Sequence, residues 1–90
     1  MSRNNALLEA FAAELRSRRS AVGLSQEALA LRADVNRTYV AKLELARNQP
    51  TLSVLLNLAT ALGVELPDLI QGTLARYQRP QHQTTTRKKG

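Results

Sequence analysis

Apolar side chains recur at helical spacing in five runs along the chain, each opened or closed by a capping residue. In the first, from about Asn5 to Val22, Leu8, Phe11, Ala12, Leu15 and Val22 fall on one stripe, with Arg19 on the same stripe, and Gly23 ends the run. The fourth opens at Pro50 and Thr51 and covers Leu52 to Leu62. Its core stripe is Leu55, Leu58, Ala59 and Leu62, and Gly63 closes it. Pro67 suits the first turn of a fifth helix that contains Leu69, Ile70 and Leu74.

The second and third runs lie together between Ser25 and Glu44. Ser25 is a good N-cap, and Gln26, Glu27, Ala28 and Leu29 form helix readily, with an acid where the helix dipole is positive. Leu29, Ala30 and Ala33 share one face. Asp34 sits where the chain must bend, and it tolerates a left-handed backbone better than most residues with a Cβ. Val35 plugs the corner, Asn36 caps the next helix, and Arg37 to Glu44 follow with Val40 and Leu43 inward. Ala30 is small because the two backbones approach closely at such a corner. Two short helices joined by a sharp turn make a helix-turn-helix.

Helix 36–44 has two sides. At about 100° per residue, Val40, Leu43 and Glu44 point to the core, Thr38, Ala41 and Lys42 point away, and Arg37 and Tyr39 flank them. Arginine can bind guanine O6 and N7, threonine offers a hydroxyl and a methyl, lysine reaches guanine or phosphate, and the tyrosine hydroxyl reaches the backbone of a duplex. Arg37, Thr38, Tyr39 and Lys42 are therefore the candidate base contacts. A polar helix face can also be merely solvated; the preceding helix and turn favour DNA. Ser25, Asn36, Arg47 and Asn48 are candidate phosphate contacts near the groove edges. An arginine on an apolar stripe needs a partner, and Glu44 is a carboxylate on the core side, so an Arg19–Glu44 ion pair is expected. The alternative is that each charge reaches water separately.

From Leu15 to Ile70 the chain resembles the Xre and lambda-repressor-like family of helix-turn-helix regulators, through LRSRRSAVGLSQEALA, VNRTYVAKLE, NQPTLSVLLNLATALGV and LPDLI in order. The NRTYV run is also similar to small controller proteins of restriction-modification systems. The resemblance implies an all-α, five-helix DNA-binding domain whose second and third helices form the motif. It implies a phosphate contact for Gln26, recognition-helix positions for Arg37, Thr38, Tyr39 and Lys42, and the same pairing of Arg19 with Glu44. Two positions depart from the family pattern: Asp34 and Ala46 stand where glycine is usual. Ala46 makes a left-handed helix end there less comfortable.

Composition narrows the class. Ninety residues allow one domain, and 43% hydrophobic content with one Phe and two Tyr means a core of Leu, Ala and Val. With no cysteine there is no thiol chemistry and no Cys-based zinc site, which is compatible with the cytoplasm. No run is long enough to span a membrane, and the amphipathic N-terminus, with Glu9 and Glu14, lacks a signal-peptide core. No cofactor is called for. The net charge of +6 is uneven, since residues 1–75 carry eight basic and seven acidic side chains whereas residues 76–90 carry five basic and none acidic. Residues 16–47 hold seven basic groups against three acids, so the motif region is itself basic.

The expected organisation is a DNA-binding domain over 1–75 and a basic, disordered tail over 76–90. The tail's charges serve either salt-sensitive phosphate contacts or solubility, and its His82 lacks a second ligand for a metal. There is no phosphate loop and no usable catalytic base, so an enzyme is not expected. Leu52 and Leu56 widen the fourth helix's apolar face. With Leu66, Leu69, Ile70 and Leu74 they form a candidate two-fold dimer interface, although all could pack internally. The reading is a homodimeric transcriptional regulator on a pseudo-palindromic operator. Repression needs only occupancy, whereas activation would add a contact with RNA polymerase. The competing class is a protein-interaction module such as an antitoxin.

Overall fold

Each of the first four helices begins on a polar side chain that accepts from the backbone three residues on. Asn4 Oδ1 takes Leu7 N at 3.0 Å, Ser25 Oγ takes Ala28 N at 3.0 Å, Asn36 Oδ1 takes Tyr39 N at 2.8 Å, and Thr51 Oγ1 takes Val54 N at 3.1 Å. The helices are α1 (Asn5–Ala21), α2 (Gln26–Ala33), α3 (Arg37–Glu44), α4 (Leu52–Leu62) and α5 (Leu66–Lys89). This is a computed structural model, describing the backbone of residues 3–89 and the side chains of residues 3–78.

The same four helices also end alike. In each, one residue swings to positive φ and the next amide reaches back five residues: Leu24 N to Arg19 O, Val35 N to Ala30 O, Arg47 N to Lys42 O and Val64 N to Ala59 O, at 2.9–3.1 Å. The swinging residues are Gly23 (φ 73°), Asp34 (61°), Ala46 (59°) and Gly63 (75°). Asp34 therefore adopts the left-handed turn its position called for. Ala46 adopts it too, although its Cβ makes the conformation cost about 1–2 kcal/mol.

Leu15, Leu29, Val40, Leu43, Leu58 and Leu69 are the fully buried centre, one or two from every helix. Ala30 and Ala33 of α2 are buried in the same cluster, and Val35 packs against it. Burying one such leucine is worth about 1.5–3 kcal/mol, so a core this small depends on every helix contributing. α1 lies against α3 and α5, α2 against α3 and α4, and α5 leaves α4 at 103°. Among the described residues, no single helix is long and apolar enough to cross a membrane.

Three expectations need correction. α1 ends at Ala21, and Val22, placed on its core stripe, is more than half exposed because it lies in the cap beyond the last helical turn. Leu69, placed on the dimer surface, is wholly buried inside one chain, and Leu66 packs against the same core. The packed body also runs past residue 75: Arg76 Nε reaches Glu14 Oε1 at 2.8 Å, and Asn4 Nδ2 donates to the Tyr77 hydroxyl at 3.1 Å. The backbone of α5 continues to Lys89, while the tail's charged side chains after Arg76, and His82, lie outside the described side chains.

Candidate nucleic-acid interface

α3 is eight residues long, so its two sides are sharply divided. Val40, Leu43 and Glu44 are buried, while Arg37, Thr38 and Lys42 are exposed and Tyr39 and Ala41 are half-buried. Asn36, Thr38, Tyr39, Lys42 and Asn48 together line a shallow hollow of about 210 Å³ on the outer surface. Five candidate contacts, from the Asn36 cap, α3 and the following loop, thus share one polar surface. Arg37 is exposed at the first position of the helix, outside that hollow. Burial of the Tyr39 ring raises the phenol above its ordinary value of 10.0, so the hydroxyl stays a hydrogen-bond donor at neutral pH.

The edge residues are partly engaged. Asn36 and Ser25 spend their side-chain oxygens on helix caps, leaving the Asn36 amide nitrogen and the Ser25 hydroxyl proton free to donate outward. Gln26 is half-buried, and its Nε2 donates to Glu44 Oε1 at 2.9 Å, which leaves one N–H. Arg47 is exposed; its carbonyl accepts from Arg3 Nη2 at 2.9 Å while its guanidinium makes no described contact.

What fixes this surface to the body lies beneath it. Arg19 Nε donates to Glu44 Oε2 at 2.6 Å and Arg19 Nη2 to Glu44 Oε1 at 3.0 Å, a two-pronged ion pair with the Glu44 side chain only 3% exposed. A third donor, Arg19 Nη1, closes on Leu24 O at 2.8 Å. The hydrogen bond to Glu44 raises the Arg19 guanidinium above its ordinary value, against the opposing effect of burial, so Arg19 keeps its charge.

A second clasp joins α1 to α5. Glu14 is buried between Arg18 and Arg76 and faces Gly72, where an added Cβ would strike its carboxylate. Burial alone would raise the Glu14 carboxyl, but hydrogen bonds from Arg76 and Arg18 outweigh it and hold the group below its ordinary 4.5. The Glu14–Arg18 spacing of one helical turn was a readable signal; Arg76 and Gly72, some sixty residues away, offered none.

The apolar candidates divide. Leu52, Leu56 and Leu74 are 74%, 53% and 40% exposed, and half-buried Ile70 lines an apolar groove of about 250 Å³ with Leu7, Phe11 and Leu55. Large apolar side chains on α4 and α5 are thus left in water, as are Leu31 on α2 and Leu45 after α3.

Comparison with known proteins agrees with this geometry. Residues 10–71 match the family described as a helix-turn-helix domain. The chain is 40% identical over 62 residues to the control protein C.SmaI of Serratia marcescens, covering 69% of this chain and 74% of that one. Among solved structures it is similar to the restriction-modification controller protein C.AhdI from Aeromonas hydrophila, with 42% identity and a TM-score of 0.68, over 69% of this chain and 94% of that one. It also matches the clp gene regulator ClgR from Corynebacterium glutamicum, with 28% identity and a TM-score of 0.80, over 87% of this chain and 83% of that one.

Proposed function

Because the chain belongs to the helix-turn-helix domain family of DNA-binding transcription regulators, which are not enzymes, we propose that it binds a specific pseudo-palindromic operator as a homodimer, with helix 36–44 in the major groove. The observation that carries this reading is the grouping of Thr38, Tyr39 and Lys42 with Asn36 and Asn48 on one outward surface, beside exposed Arg37. Arg37, Thr38, Tyr39 and Lys42 read base edges. Ser25, Gln26, Asn36, Arg47 and Asn48 hold phosphates through the donors their caps and ion pairs leave free.

A single motif reads few base pairs, so two copies on half-sites about 34 Å apart, one DNA turn, raise specificity. Leu52, Leu56 and Leu74, with Ile70 at the groove edge, are the surface on which the copies meet. A DNA partner means action at the chromosome, in the cytoplasm. Occupancy of the operator is enough to repress; activation would need a further surface for RNA polymerase.

Selection from random duplex DNA tests the reading. It should return one enriched half-site, repeated about a helical turn apart, whose binding falls steeply as salt rises. Recovery of no enriched site would refute it and leave a protein-interaction module, such as an antitoxin, as the better account.

A further inference from the structure

The last turn of α3 leaves one carbonyl without a backbone donor. Amides of Leu45, Ala46 and Arg47 return to the carbonyls of Ala41, Leu43 and Lys42, at 2.9–3.1 Å, but among the described residues no backbone N–H reaches the Glu44 carbonyl. That oxygen accepts instead from Arg16 Nη1 at 2.6 Å. A cation at a helix C-terminus also faces the negative end of the helix dipole. Arg16 sits one turn before Arg19 on α1, so two neighbouring arginines grip one residue, Arg19 by its carboxylate and Arg16 by its main chain. Just beyond, Arg3 grips the carbonyl of Arg47.

We infer that Arg16 is a positioning residue for DNA recognition: it sets the angle of α3 against α1 and so determines where Arg37 and Thr38 meet the bases. The inference rests on the DNA-binding reading. A side-chain ion pair alone is a hinge, since the Glu44 side chain has torsions about which the helix can swing. A second attachment, made to the backbone itself, removes that freedom. The contact residues at the start of α3 lie about seven residues from Glu44, a lever of roughly 10 Å at 1.5 Å per residue. A swing of about 10° moves them by roughly 2 Å, several times the tolerance of a hydrogen bond. The strained Ala46 directly after the gripped turn is held by the same contacts, between Arg16 on one side and Arg3 on the other.

The test is Arg16→Met, which keeps the aliphatic stem over the hollow formed by Glu9, Ala12, Leu45 and Ala46 but removes the donor, alongside Arg16→Ala, which removes both. Residual dipolar couplings report the orientation of α3 relative to α1 in the free protein, and titrations compare the selected operator with a scrambled duplex across salt. Both variants should stay helical and show a rotated α3. The ratio of operator to scrambled affinity should fall about tenfold, with scrambled affinity and salt slope unchanged. An unrotated α3 overturns the inference. So does an equal loss on both duplexes with a slope shallower by about one phosphate, which would make Arg16 a direct phosphate contact. If the wild type shows no preference for any duplex, the DNA reading fails, and the dipolar couplings still decide whether Arg16 orients α3.

Discussion

Replacing Glu44 by alanine should be among the most damaging single changes in this protein. The carboxylate receives Arg19 Nε at 2.6 Å, Arg19 Nη2 at 3.0 Å and Gln26 Nε2 at 2.9 Å, and all three bonds vanish in Glu44→Ala. Breaking a buried ion pair by deleting one partner costs about 3–5 kcal/mol, because the other charge is left without compensation. Arg19 would keep its bond to Leu24 O, and its side chain is 17% exposed, so the lower end, about 3 kcal/mol, applies. For a domain of this size each kcal/mol lowers the melting temperature by about 4–8 °C, which gives a fall of roughly 12–24 °C. Thermal and urea denaturation followed by far-ultraviolet circular dichroism measures it. A loss below about 1 kcal/mol, the range of exposed ion pairs, would refute the reasoning and mean that Arg19 finds water as easily as it found Glu44. The double variant Arg19→Met with Glu44→Leu strands no charge and should recover much of the loss. The cycle formed with the two single variants isolates the pair itself.

Other consequences are independent of that pair. Ala46→Gly should stabilise the protein by roughly 0.5–1 kcal/mol in chemical denaturation, since glycine removes a left-handed strain of about 1–2 kcal/mol at some cost in unfolded-chain entropy. Glu14 has a folded-state pKa below its ordinary 4.5, so its stabilising contribution is complete above that value and disappears as pH falls through the lowered one. The stability gap between wild type and Glu14→Gln should accordingly close on acidification below about 4.5 in urea melts taken across pH, and a gap constant with pH would contradict the clasp. Arg37→Ala should lower operator affinity by about 1–3 kcal/mol and relax specificity at one base pair in competition binding; equal weakening on all duplexes would make Arg37 a phosphate contact. Leu52→Glu with Leu56→Glu should shift sedimentation to the monomer without lowering the melting temperature of the monomer, because both side chains already stand in water.

The sequence by itself determined what depends on near neighbours. Caps at Ser25, Asn36 and Thr51, the stripe spacing and the stops at Gly23 and Gly63 act within one or two helical turns, so four helix starts and the turn at Asp34 could be read from the chain. The outward face of α3 was legible for the same reason, as a helix so short has few ways to divide buried from exposed positions. The sequence also marked Arg19 and Glu44 as charges in need of partners, because their stripes pointed inward. Only tertiary structure decided how such groups were met. Whether Leu69 faces a partner or its own core depends on the 103° between α4 and α5, which no local pattern encodes. Arg76 and Tyr77 looked like the start of a tail because their polar surroundings carry no periodic signal. They join the body because α5 lies along α1, bringing Arg76 to Glu14 and Tyr77 to Asn4. The grip of Arg16 on the Glu44 carbonyl is of the same kind: a main-chain oxygen carries no sequence signature, and only the packing of α1 across the end of α3 brings the guanidinium to it.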